Sequence, residues 1–286
     1  MSDRPLVVDS HQHFWDTNRF DYFWMAGPDL APLRRPIGPD ALEPLLRPAG
    51  VDATVTVQAL QSVDETRWLL EIAAATPFVA GVVGWVDLTD PNVGATLAAL
   101  QARPAGRFLV GIRHMVQDEP DPNWLVGPDV RPGLQAVADA GLAYDLLLKP
   151  PQIAAATRLC AEMPDVRFVV DHLAKPDIAH GGFDRWSELM APFGAMPHVW
   201  CKLSGMVTEA DWTTQTAEDL KPYVARALDL VGEDRVMFGS DWPVSTLACP
   251  YGEVKQALET ALGPISAETR AKIFGGNATR FYGLEL

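Results

Sequence analysis

The sequence predicts a single (β/α)8 barrel over residues 1–286, and three observations carry that reading. Eight short apolar, often β-branched runs alternate with longer helix-patterned segments, the signature of parallel βαβ units. The runs start about 24 to 47 residues apart, room for one strand, one helix and two loops each. No glycine-rich phosphate loop follows the first run, which counts against a doubly wound open sheet, the competing architecture.

Strands are read at Leu6–Asp9, Ala53–Gln58, Val79–Trp85, Phe108–Arg113, Ala143–Leu148, Arg167–Val170, Val199–Leu203 and Val236–Gly239. Several are apolar throughout, as strands covered on both faces should be. Helices fill the gaps. Ser62 and Glu65 make a capping box for a helix over Val63–Ala75. Asp129–Ala140 stops at Gly141, and Thr216–Leu230 stops just before Gly232. Further helices are read at Pro39–Leu46, Val93–Ala102, Ile153–Glu162, Phe183–Phe193 and Tyr251–Leu262, and Ser266–Tyr282 reads as a helical tail on the barrel. Asp16–Gly38 is a long first βα loop, of the kind that often covers an active site. No repeat, charge run or linker divides the chain.

With 286 residues, 48% hydrophobic and 21% charged, the chain can bury one large core and is not disordered. A formal net charge of −14 argues against nucleic acid as a partner, since phosphate binding needs clustered Lys and Arg. The opening MSDRPLVVDSHQHF does not read as a signal peptide. The most apolar run, Phe78–Val86, falls far short of the roughly 20 residues that span a bilayer, so no membrane partner is expected. Cys160, Cys201 and Cys249 lack CxxC spacing and read as free thiols of a reducing cytoplasm. Monomer and homo-oligomer both stay open.

Polar residues fall where the strands end. The first strand breaks into Asp9-Ser10-His11-Gln12-His13, the fourth ends at Arg113-His114, the sixth at Asp171-His172 and the eighth at Ser240-Asp241-Trp242. In a barrel these carboxyl ends converge on one mouth, where such enzymes keep their chemistry. His11 and His13, at i and i+2, share a strand face. With His172 and Asp241 they make a candidate site for one divalent metal, zinc by donor type. An HxH alone is a weak signal, and the strand-end partners strengthen it. Asp241 also suits a general base. The alternative is a helix cap, which Asp favours and which Pro243 after Trp242 would fit.

Six stretches, VDSHQHFW (Val8–Trp15), GIRHMVQDEPDPNWL (Gly111–Leu125), VVDHLAKP (Val169–Pro176), CKLSG (Cys201–Gly205), FGSDWPV (Phe238–Val244) and FGGNATRFYGL (Phe274–Leu284), resemble the amidohydrolase-related sugar lactonases, in order along nearly the whole chain. The resemblance implies a barrel hydrolase that opens a sugar lactone, an L-fuconolactone-like aldonolactone being the expected substrate. It implies His11, His13 and His172 around the lactone carbonyl or a metal, with Asp241 activating water. The fifth strand carries no histidine and the fourth no lysine, so a two-metal site is not expected. In the metal-free alternative the histidines polarise the carbonyl themselves. Arg113 and His114 are candidates for holding a sugar acid, the alternative being an ion pair of Arg113 with Asp87 or Asp145. Tyr144, Lys149, Lys175 and Lys202 are weaker candidates. Trp15, Trp24, Trp124 and Trp242 sit in or beside top-face loops and suit sugar packing or the core equally. Rival functions are another hydrolase or decarboxylase on the same scaffold, and a non-catalytic sugar-acid binder.

Overall fold

A computed structural model describes residues 4–286, so the first three residues of the expected domain lie outside the described residues. Eight parallel strands form one sheet in the order β1 to β8: Val8–Gln12, Ala53–Val57, Val79–Gly84, Leu109–His114, Ala143–Leu146, Phe168–Val170, Val199–Leu203 and Val236–Phe238. β1 and β8 meet through a short parallel bridge, Gln12 against Trp242. Its hydrogen bonds run from Asp241 N to His11 O (2.8 Å) and from His13 N to Trp242 O (2.7 Å). The seam that closes the barrel therefore sets Asp241 beside the two histidines of the first strand.

The helices between strands include α1 (Pro39–Ala49), α2 (Val63–Ala75), α3 (Val93–Gln101), α4 (Val130–Asp139), α5 (Ile153–Glu162), α6 (Phe183–Met190), α7 (Met206–Glu209) and α8 (Ala217–Val231). After β8 come α9 (Tyr251–Leu262), α10 (Ala267–Ala271) and α11 (Asn277–Tyr282), the last two joined by a π-turn over Lys272–Gly276. The expected α2 boundaries hold, but the capping box is only half made. Ser62 Oγ accepts from the amides of Asp64 and Glu65, while the Glu65 carboxylate turns away to the amides of Ala59 and Leu60. The reciprocal box forms instead at α8, between Thr216 and Asp219.

Two cores result. One fills the layer between strands and helices. The other involves Val8, Val55, Val169 and Met237, with Ala278, Phe281 and Tyr282 of the tail packed into it. The tail thus belongs to the barrel's own core. Among the described residues no helix is long and apolar enough to cross a membrane.

Candidate active site

Strand ends and their loops line a cavity of about 290 Å³ whose floor includes His13, Arg113, His172 and Asp241. That size suits a single sugar ring. His11 Nε2 lies 3.2 Å from His13 Nε2 and 3.8 Å from Asp241 Oδ1. Asp241 Oδ1 is also 3.3 Å from His13 Nε2 and 3.7 Å from His172 Nε2. The four expected residues are together, and donor atoms of His11, His172 and Asp241 all fall within 4.8 Å of one another.

The hydrogen bonds behind the rings define what they offer. His13 Nδ1 is 2.8 Å from Val57 O, a carbonyl that only accepts, so Nδ1 carries the proton and a neutral His13 turns a lone pair inward. That lone pair faces an anionic carboxylate oxygen and a second imidazole nitrogen. A proton or a cation between them relieves the repulsion, and the imidazole and carboxylate donors suit one divalent ion of the zinc type. Asp241 is held well below the ordinary carboxylate range. Burial alone would raise it, and the surrounding histidines, His172 first, overcome that. Burial pushes His172 down to about 4, so it is neutral at neutral pH.

Two of these side chains sit on strained backbone. His172, Leu173, Ala174 and Lys175 all have positive φ, from 51° to 58°, and Asp241 has φ 57°. For non-glycine residues this costs roughly 1–2 kcal/mol each, and such strain gathers at functional sites. A plain strand end was expected at His172; the chain instead makes a left-handed turn. Gly205 (φ 62°) allows it, because a Cβ there would lie 2.5 Å from His172 Nδ1. The ring is fixed by Ser204 Oγ, 2.9 Å from Nδ1. Asp241 caps nothing: the 3-10 turn Val244–Leu247 begins after Pro243 with no side-chain cap.

Under the floor, and reaching it through Arg113, is a buried charged network. Lys202 Nζ lies 2.5 Å from Asp145 Oδ2, 3.0 Å from Asp171 Oδ1 and 3.1 Å from His11 Nδ1. Arg113 Nη1 reaches Asp171 Oδ2 (3.1 Å) and His11 Nε2 (3.2 Å), and its Nη2 donates to Gln58 O (2.5 Å). The expected alternative partners, Asp87 and Asp145, are replaced by Asp171.

Of the side chains expected to hold or pack a sugar, Arg113, Lys175 and Trp24 line the cavity, whereas Tyr144, His114, Trp242 and Trp15 do not. Tyr144 is fully buried against Phe168 in the outer core, because alternation along β5 sends Asp145 inward and Tyr144 toward the helices. His114 stacks on Trp124 with ring centroids 4.0 Å apart and bonds Glu119 Oε1 at 2.7 Å. Trp242 is buried against Phe14. Trp15 is buried, its N–H donating to Leu33 O and Arg35 O, so it braces the first loop from beneath. That loop supplies Trp24 and Leu30 to the cavity wall. Sequence reasoning missed Leu30, Gln117, Asp118, Thr208, Glu209, Trp212 and Leu247, which lie in the βα connections and the short helical turns within them, where position alone carries no signal.

Glu65 was read as a cap and holds the mouth together instead. It grips Ala59 N and Leu60 N (3.1 and 2.8 Å), while Ala59 O accepts the Trp24 indole N–H at 2.8 Å. Burial pushes its carboxyl from 4.5 up to about 8, against the pull of the Leu60 amide, Tyr22, the Ala59 amide and Arg113. Between these values the unfolded chain has released the proton and the folded chain keeps it. The stability Glu65 contributes is therefore complete below about pH 4.5 and lost as pH rises toward 8. Melting temperatures of wild type and Glu65→Gln at about pH 5 and pH 8 should differ accordingly, with the smaller fall in the variant. Equal slopes would show that Glu65 does not titrate in this window.

An eight-stranded barrel with a buried histidine–aspartate cluster at its carboxyl ends defines a hydrolase of the amidohydrolase class. The chain belongs to the amidohydrolase family, whose match covers residues 8–284. Within it, the chain is 40% identical over 285 residues to an L-fucono-1,5-lactonase of Burkholderia ambifaria, covering 97% of this chain and 96% of that protein. A second L-fucono-1,5-lactonase, from Burkholderia multivorans, is 39% identical, with 98% and 96% covered. A solved Burkholderia multivorans amidohydrolase with bound zinc superposes with a TM-score of 0.92 at 38% identity, covering 98% of this chain and all of that one.

Proposed function

We propose that this protein opens a sugar-acid lactone by water attack on the ester carbonyl, its substrate an aldonolactone like L-fucono-1,5-lactone. The observation that carries the reading is the convergence of Asp241 with His11, His13, His172 and Arg113 at the base of a cavity the size of one sugar ring. Full-length similarity to two L-fucono-1,5-lactonases supports the substrate class.

Asp241, ionised, takes a proton from water as the water oxygen bonds to the carbonyl carbon. Arg113, as a fixed positive charge under the site, and His172, whose Nε2 carries the proton when its Nδ1 accepts from Ser204 Oγ, stabilise negative charge on the former carbonyl oxygen. The histidines that keep Asp241 ionised also make it a weak base, so it passes the proton on as the ring C–O bond breaks. The proton goes to the leaving ring oxygen, and the hydroxy acid then ionises, releasing one proton to solvent. His11, His13, His172 and Asp241 would hold a single divalent ion, which supplies Lewis acidity at the carbonyl when bound. The acidic chain and its free cysteines support a small-molecule substrate and a cytoplasmic setting.

Proton release at near-neutral pH across aldonolactones, phosphoesters and peptides, with and without chelator, tests this. Aldonolactone turnover is expected, with at most one divalent equivalent per chain by elemental analysis. A phosphoester or peptide turned over faster than every lactone would remove the lactonase reading. Two metal equivalents would contradict the single site.

A further inference from the structure

The cavity has two unlike halves, set by strand order. The loops after β8, β1 and β2 contribute Val244, Leu247, Trp24, Leu30 and Ala59, an apolar wall. The loops after β4, β6 and β7 contribute the cavity's polar wall residues, Gln117, Asp118, Lys175, Thr208 and Glu209, across the barrel, with Met115, Leu147 and Trp212 beside them. Arg113 has its terminal nitrogens committed to Asp171, His11 and Gln58 O, so it serves the floor and not the wall.

Lys175 and Glu209 are differently placed. Each side chain is about a quarter exposed (23% and 25%), and Lys175 Nζ stands 3.6 Å from Glu209 Oε1, too long for a well-made hydrogen bond. A carboxylate and an ammonium side by side offer acceptors next to donors, which matches neighbouring hydroxyls that each donate and accept. Gln117 Oε1, on the same half, is buried without a partner. Both charged residues are tied to the catalytic histidine. Lys175 closes the left-handed turn, its N–H donating to His172 O at 2.9 Å. Glu209 ends α7, whose first turn starts at Gly205 against the His172 ring.

We infer that Lys175 and Glu209 form a hydroxyl-reading pair that holds the polyhydroxylated edge of a lactone ring, at a fixed distance from His172 and facing the apolar wall. This rests on the lactonase reading for the identity of the ring, but it can fail separately. It makes both groups substrate-positioning residues, with their effect in KM.

The experiment compares Lys175→Met and Glu209→Gln with wild type on two six-membered lactones, an aldono-1,5-lactone and hydroxyl-free δ-valerolactone. The preference for the polyhydroxylated ring, as a ratio of kcat/KM values, is expected to fall about tenfold or more in each variant. The change should appear in KM, with melting temperature unmoved. Calorimetric binding of a polyhydroxylated δ-lactam reads the same contact without turnover and is expected to weaken by a similar factor. An unchanged ratio with unchanged lactam binding overturns the pair, as does an equal loss on both lactones. Wild-type binding of the lactam, lost in the variants, with no lactone opened by wild type would sink the lactonase reading and leave the pair standing.

Discussion

Asp241→Asn is expected to lower kcat by about 10²–10⁴, the usual contribution of a general base, with little change in melting temperature. The fold should tolerate the change because Asn adopts the left-handed region as readily as Asp, and Asp241 sits at φ 57°. The amide also keeps local hydrogen bonding. His13 is protonated on Nδ1 toward Val57 O, so its Nε2 can accept from the new amide N–H where it now faces Oδ1 at 3.3 Å. What the amide cannot do is take a proton from water. A purely structural role is already disfavoured, since Asp241 caps no helix. Near-wild-type kcat in a variant that melts normally would end the case for Asp241 as the base.

The fold and the centre of the site were legible for one reason. Barrel strands place their carboxyl ends together, so polar residues at the ends of apolar runs, His11, His13, Arg113, His172 and Asp241, had to meet. The walls were less legible, because a side chain's direction depends on strand parity and loop path. Tyr144 and Asp145 are neighbours in sequence, and one residue of phase sends the first to the helices and the second to the barrel axis. Trp15 and Trp24 share a loop, yet Trp15 is spent bracing it and Trp24 faces the cavity. The left-handed turn at His172–Lys175 had no local signal. Four consecutive non-glycine residues with positive φ oppose their own propensities. Only Gly205, about thirty positions away, shows how the turn is accommodated. Glu65 hides its role for a similar reason: the capping pattern is real, but the Ala59 and Leu60 amides take its carboxylate.

Lys202→Met should destabilise the protein more than any other single change at the site. Lys202 is fully buried, and its ammonium serves Asp145 and Asp171, which are buried too, as well as the His11 ring. Burial raises Asp145 to about 6 even with Lys202 pulling it down. Burial acts on Asp171 in the same sense, but Lys202, His11 and Arg113 overcome it and hold that carboxyl well below its ordinary value. Methionine keeps most of the stem's volume and deletes the charge, leaving two buried carboxylates with Arg113 as the nearby cation for Asp171. Removing one partner of a buried ion pair typically costs about 3–5 kcal/mol, which in a domain of this size lowers the melting temperature by roughly 10 °C. The loss should be partly reversible. Adding Asp145→Asn removes the carboxylate left without its cation while the Tyr282 hydroxyl, now 2.7 Å from Asp145 Oδ2, can still bond the amide oxygen. The double variant should therefore melt above Lys202→Met alone, a coupling that a double-mutant cycle reads directly. If Lys202→Met melts within a degree or two of wild type, the ammonium does not hold these carboxylates. If the double variant melts lower than the single by the full cost of Asp145→Asn in wild type, the two residues are uncoupled.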